Sequence, residues 1–171
     1  LNRFDLPVKQ EIGSFSKGMK VKMNFAIALA HHAELLLLDE ATSGLDPVMR
    51  DDVLDLLLDF VQSEKHGVLF STHIMSDLSK IADYIAFLHE GKLLFFKSKD
   101  ELIYRYGLIH CGEKLFREID HDDILAWRKQ EYEYQILVAD RETAARKYKD
   151  CVIDPATLDS IMLLNIRGKK V

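Results

Sequence analysis

Asp39 and Glu40 stand side by side directly after the run Leu35-Leu36-Leu37-Leu38. A carboxylate so placed can hold a hydrated Mg²⁺, and its neighbour can orient or deprotonate a water. Three further sites accompany the pair. Phe15-Ser16-Lys17-Gly18-Met19 lies where a helix should open. Free amides and the helix dipole there favour an anion, Gly18 lets a phosphate approach the backbone, and Ser16 adds a hydroxyl. Ser43-Gly44-Leu45-Asp46 reads as a turn running into a helix cap, and His73 follows a short apolar stretch. Each site has an ordinary reading on its own: a buried strand tipped by solvated acids, a serine-capped amphipathic helix, a turn, a hydrogen-bonded structural histidine. Their order and spacing are what suggest a site.

The elements that must position them can be read around the motifs. Four leucines without alternation suit a strand buried on both faces, as in the middle of a parallel sheet. Its carboxyl end is where open α/β sheets bind ligands. Pro7 breaks a polar N-terminal stretch over residues 1–13. Ser14 or Ser16 then opens a helix to about His31, with Met19, Met23, Ile27 and Ala30 at helical spacing. Asp46-Pro47 is an N-cap followed by an N1 proline and opens a helix to about Lys65. Leu54, Leu57, Leu58 and Val61 form its apolar stripe, and Asp51, Asp52, Asp55 and Asp59 its wet side.

Val68-Leu69-Phe70-Ser71 is a second apolar strand delivering Thr72-His73. A short helix over about Met75–Ile81 leads to a strand at Tyr84–Leu88, and His89-Glu90-Gly91-Lys92 turns the chain into Leu93–Phe96. Ser98-Lys99-Asp100-Glu101 has the pattern of a capping box, and Gly107 suits the C′ position of the helix it opens. Beyond Gly107 the texture changes to strands over about 124–129 and 132–139, a helical piece near Arg141–Tyr148 and a short strand at Cys151–Ile153. Asp154-Pro155 opens a last helix to about Arg167 by the logic of Asp46-Pro47. The expected fold class is α/β, a layered and mainly parallel core over residues 1–106, followed by a small α+β appendage over 107–171.

The chain has 171 residues, 48% of them hydrophobic and 30% charged, as in a soluble globular protein. A net charge of −5 gives no electrostatic case for nucleic acid. Cys111 and Cys151 form no CxxC, so neither a disulfide framework nor a zinc site is indicated, and a reducing cytoplasm is the expected home. His31-His32, His66, His89, His110 and His121 show no metal-ligand spacing. Apolar runs are too interrupted to span a bilayer. The first residue is Leu and not Met, which suggests that the native start lies upstream.

In this order and spacing the motifs resemble the ATPase subunit of ATP-binding-cassette (ABC) transporters. Ser16-Lys17-Gly18-Met19 is similar to the family's signature loop, Leu35–Asp39 to its Walker B strand, Glu40 to its catalytic glutamate, Ser43–Asp46 to its D-loop and His73 to its switch histidine. The resemblance covers Leu1 to about Tyr106. It continues through Asp154-Pro155-Ala156-Thr157-Leu158 and Ile161-Met162, which look like the end of a bacterial ABC-2-type exporter branch. It implies a subunit that binds ATP and Mg²⁺ and dimerises head to tail with a second ATPase subunit. That dimer would drive a membrane-spanning permease from the cytoplasmic face. In it Ser16, Lys17, Gly18 and Met19 would contact the partner's nucleotide, Asp39 would hold Mg²⁺ through water, Glu40 would act as base and His73 would steady the γ-phosphate. Ser43, Gly44, Leu45 and Asp46 would signal across the interface.

Departures from the pattern are informative. The signature usually reads Ser-Gly-Gly-Gln; here Lys17 replaces the first glycine and Met19 the glutamine, a variant common in the exporter branch. Ala41 stands where proline is frequent. No phosphate-binding P-loop is present: Gly13 to Gly18 has glycines at the right interval, but the lysine is one place late and no hydroxyl follows. The reading is therefore the C-terminal part of such a subunit without its nucleotide-gripping half, inactive on its own. Two other classes remain: a non-transport ABC ATPase, and a non-catalytic interaction module.

Overall fold

The computed structural model of the protein describes residues 6–170. The polar stretch expected over residues 1–13 falls partly outside them. The chain forms two compact units, Leu1–Ile81 and Ala82–Val171.

In the first unit, helix α1 (Lys17–Ala30) begins at Ser16, whose extended backbone and hydroxyl form the N-cap. Strand β1 (Leu35–Asp39) follows, then helix α2 (Pro47–Val61), capped by the Asp46 carboxylate with Pro47 in the first turn. Strand β2 (Gly67–Ser71) lies parallel to β1, pairing Leu35 with Gly67 through to Asp39 with Ser71. Helix α3 (Met75–Ile81) closes the unit. Phe25 of α1, Leu36 of β1 and Val53 and Leu57 of α2 form the core, with Leu38 and Val68 packed against it. The α2 stripe is rotated from the sequence reading, so that Val53, Leu54 and Leu57 are its buried positions. Lys22 reaches Asp52 at 2.8 Å and fastens α1 to α2.

Burial of the β1 leucines differs from expectation. Leu36 is buried, but Leu35 is 59% and Leu37 69% exposed, as is Leu69 of β2 at 67%. A strand's side chains alternate between faces. The core of this unit lies on the Leu36 face, leaving the other face bare among the described residues.

The second unit opens with the antiparallel hairpin of β3 (Tyr84–His89) and β4 (Lys92–Ser98). Glu90 (φ 48°) and Gly91 (φ 74°) take consecutive left-handed conformations at its turn, the twist that suits a two-residue hairpin. Only half of the expected capping box forms. The Glu101 amide donates to Ser98 Oγ at 3.1 Å, while the Glu101 carboxylate takes Lys97 instead. The helical turn that follows spans only Glu101–Arg105, with wide π-type winding. Gly107 is not a left-handed helix cap: Tyr106 is extended and Gly107 opens strand β5 (Gly107–Cys111). Its need for glycine is a close approach, since a Cβ there would meet Arg141 Cβ at 3.0 Å.

The remaining elements are α4 (Glu113–Phe116), β6 (Ala126–Lys129), β7 (Tyr134–Val138), α5 (Arg141–Lys147), β8 (Val152–Pro155) and α6 (Leu158–Arg167). The strands form one antiparallel sheet in the order β6-β7-β5-β8. Ile109, Cys111, Ile136 and Val138 pack with Ile119, Ile124 and Ala144 into its core. The last helix starts later than Asp154-Pro155 suggests, because Asp154 pairs with Leu108 and Pro155 with Gly107 at the end of β8. Thr157 is the true N-cap: its hydroxyl accepts from the Ser160 amide, and the Ser160 hydroxyl accepts from the Thr157 amide. Among the described residues, no helix is long and apolar enough to cross a membrane.

Candidate functional site

All the sequence-predicted site residues lie in the first unit, and the structure brings them together in two groups. The first group is at the carboxyl ends of β1 and β2. Asp39 and Ser71 are register partners, and Ser71 Oγ donates to Asp39 Oδ1. The Glu40 amide donates to the carbonyl of Ser71 at 3.0 Å and to Ser71 Oγ at 3.2 Å. Glu40 itself takes φ +47°, a left-handed conformation that a side chain occupies only when its surroundings hold it there. His73 Nδ1 lies 2.7 Å from Glu40 Oε2. The approach is at ion-pair distance without hydrogen-bond alignment, because Glu40 Oε2 is buried and has no hydrogen-bonding partner.

The second group joins the start of α1 to the turn before α2. Ser16 Oγ accepts from the Met19 amide at 3.2 Å. Gly18 is buried, and a Cβ there would press on Met49 of α2, 2.4 Å from its Cε. Lys17 Nζ donates to the carbonyl of Ser43 at 2.9 Å. The lysine lies over Gly44, whose φ is +69°, and a Cβ at Gly44 would meet Nζ at 2.3 Å. The positive φ is what calls for glycine at position 44, since the lysine tip above it can swing aside. Asp46 Oδ1 accepts from the amides of Val48 and Met49 at 3.1 and 3.0 Å. Lys17 is thus tied to the turn that precedes α2.

Three residues of this region were not singled out from sequence. Ser71 fixes the Asp39 carboxylate and the Glu40 amide; its position opposite the strand-end acid in the parallel register could have pointed to it. Thr42 and Asp77 are 0% and 1% exposed, and Thr42 Oγ1 donates to Asp77 Oδ2 at 2.6 Å. Nothing local in the sequence joins residues so far apart.

Mg²⁺ fits this site in one way. Among the described residues, no cluster of three or more His, Cys, Asp or Glu side chains could hold a metal. Mg²⁺ keeps several waters and is commonly bound by one or two carboxylates together with substrate phosphates. Asp39, exposed at the strand end with a single protein hydroxyl on it, is a donor of that kind.

A parallel strand pair carrying acids at its carboxyl end, packed under two helices, has the architecture of part of a P-loop-type NTPase core. Comparison with known proteins makes the class more specific. Residues 2–43 match the family model described as ABC transporter. The bacitracin transport ATP-binding protein BcrA of Bacillus licheniformis is 40% identical over 86 residues, 50% of this chain and 28% of the relative. The lantibiotic transport ATP-binding protein SrtF of Streptococcus pyogenes is 40% identical over 94 residues, 55% of this chain and 39% of the relative. The ABC transporter ATP-binding protein YtrB of Bacillus subtilis is 27% identical across 99% of this chain and 61% of its own length. A solved structure of a metal-chelate type ABC transporter in an inward-facing conformation superposes with a TM-score of 0.56 at 25% identity, over 81% of this chain and 53% of that one. The chain thus spans less than two thirds of each of these relatives. In motifs, family model and fold it resembles the ATP-binding subunit of an ABC transporter.

Proposed function

We propose that this chain is the C-terminal part of an ATP-hydrolysing subunit that powers an ABC exporter. The observation that carries the reading is the contact of Glu40 with His73 at 2.7 Å, at the ends of two parallel strands whose last pair is Asp39 and Ser71. Glu40 would take the proton of the attacking water, with His73 holding the carboxylate in place and contacting the γ-phosphate. Asp39, oriented by Ser71, would hold Mg²⁺ through water. Bound Mg²⁺ supplies charge neutralisation on the β- and γ-phosphates.

The Ser16–Met19 loop opens α1 with Ser16 as its N-cap, and, as in the family it resembles, its free amides would meet a nucleotide held by another subunit. In that head-to-tail dimer Ser16 and Gly18 would approach the γ-phosphate, and Ser43, Gly44, Leu45 and Asp46 would cross the interface. Residues 1–106 would belong to the ATPase core, and 107–171 would form the accessory domain. The subunit would work in the cytoplasm, on the inner face of the membrane, beneath a permease partner. Relatives named for bacitracin and lantibiotic transport support the exporter branch.

The test is steady-state ATP hydrolysis by the full-length gene product with its permease. Turnover that Glu40→Gln abolishes while ATP binding persists is expected; turnover indifferent to Glu40 would overturn the assignment.

A further inference from the structure

Thr42 and Asp77 are the two buried polar residues of the described chain, and neither has a part in the proposed chemistry. Thr42 lies two residues after Glu40, and Asp77 four residues after His73. Their side chains join at 2.6 Å, while Asp77 Oδ1 is buried with no hydrogen-bonding partner. A buried carboxylate that receives one neutral donor is held at a cost in desolvation, and an apolar pair of similar volume would avoid that cost. Burial alone gives this bond little to contribute.

Geometry supplies the role. The Glu40 turn is closed by its own hydrogen bonds, Ser43 amide to Glu40 carbonyl at 3.0 Å and Leu45 amide to Thr42 carbonyl at 3.2 Å. Thr42 is therefore a fixed point of that turn. On the other side, the Ile74 amide donates to Thr72 Oγ1 at 3.0 Å and the Asp77 amide to the Ile74 carbonyl at 3.1 Å. Asp77 is thus a fixed point of the bend that carries His73. The Thr42–Asp77 bond joins these two points in the dry interior, while Glu40 and His73 meet at the wet end, their side chains 40% and 71% exposed. The Ser71 bonds hold the Glu40 backbone, and the Thr42–Asp77 bond is the buried side-chain tie between the turn that follows Glu40 and the bend that carries His73.

Resting on the ATPase reading, we propose that Thr42 and Asp77 are positioning residues that set the Glu40–His73 geometry, and so the rate of the chemical step. They touch neither nucleotide nor water. Their loss should therefore lower kcat and leave the ATP KM nearly unchanged, since misplacing a catalytic group by about 1 Å costs on the order of a hundredfold.

The experiment has two arms on the full-length protein. Amide hydrogen exchange of Ser43 and Leu45 should speed up by about tenfold in Thr42→Val, with the α1 amides unmoved, and return to the wild-type rate in Thr42→Ser. ATP turnover should fall in Thr42→Val and recover in Thr42→Ser. The double variant Thr42→Val/Asp77→Leu guards against a folding defect: it should regain the wild-type melting temperature and still show the low kcat. Recovery of kcat together with melting temperature, or unchanged exchange in Thr42→Val, overturns the proposal. A wild-type protein without turnover, or one indifferent to Glu40→Gln, removes the ATPase reading instead, and the exchange arm still decides whether the bond positions the turn.

Discussion

Glu40 and His73 meet at 2.7 Å, although 32 positions separate them in the chain. The parallel register of β1 and β2 creates the encounter, because Asp39 and Ser71 are the last pair of the ladder and the next residues leave it side by side. A carboxylate and the histidine that touches it are set by strand pairing, and the loops need only carry the side chains a short way past the ladder.

Glu40→Gln should therefore abolish ATP turnover in the full-length protein and spare ATP binding, because the amide keeps the shape and loses the base. A positioned general base contributes about a hundred- to ten-thousand-fold. Hydrolysis within a few-fold of wild type would show that Glu40 is not the base.

Ser16→Arg should leave the affinity of a single subunit for ATP intact and block ATP-driven dimerisation. Ser16 also caps α1 by accepting the Met19 amide, so the variant should lose about 1 kcal/mol of stability. Sedimentation with ATP in a Glu40→Gln background separates the two effects. A stable dimer there would refute the contact in trans.

Much of the first unit was legible because its signals are local. Asp46-Pro47 fixed the start of α2, Ser14 or Ser16 bracketed that of α1, where the structure selects Ser16, and the apolar runs gave both parallel strands. The same local signal misled at Asp154-Pro155, where ladder pairing with Leu108 and Gly107 outweighs a capping preference worth about 1 kcal/mol. Gly107 misled for a related reason. Its glycine answers the packing of Arg141, which no neighbouring residue announces, so strand β5 was hidden. The Lys17–Ser43 and Thr42–Asp77 bonds were illegible because they depend on which turns the fold brings together.

The second unit should lose stability in acid through Asp123. Its carboxylate accepts from Lys147 Nζ at 2.7 Å and from the Tyr148 hydroxyl. These bonds, the lysine's first and the tyrosine's second, hold its pKa below the usual carboxylate range. A depressed folded-state pKa means that the contribution is fully present above the unfolded value, about 4, and is lost as pH falls through the folded value. Solvent screening keeps it small. Melting curves from neutral pH down to about pH 2.5 should show Asp123→Asn starting lower than wild type and converging with it in acid. Parallel curves would show that the clasp of Asp123, Lys147 and Tyr148 contributes nothing.

The 171-residue chain by itself should neither hydrolyse nor tightly bind ATP, and should self-associate. Asp39, Glu40 and His73 can act on a γ-phosphate only once the triphosphate is gripped. The grip of a P-loop comes from clustered backbone amides and a lysine, and no such loop is present in these residues. The tendency to associate follows from the bare face of the parallel pair. Leu35, Leu37 and Leu69 are 59%, 69% and 67% exposed, and β1 and β2 form a sheet of only two strands among the described residues. Exposed leucines beside unpaired strand edges are a template for a second copy. Calorimetric titration with MgATP and light scattering of the purified chain test the two halves separately. Micromolar binding would reveal a phosphate site elsewhere in the chain. A monodisperse monomer would mean that the leucine face tolerates water, and Leu37→Lys should then change neither solubility nor mass. If the face does drive association, the same substitution should disperse the assemblies while leaving the buried Leu36 side of the strand intact.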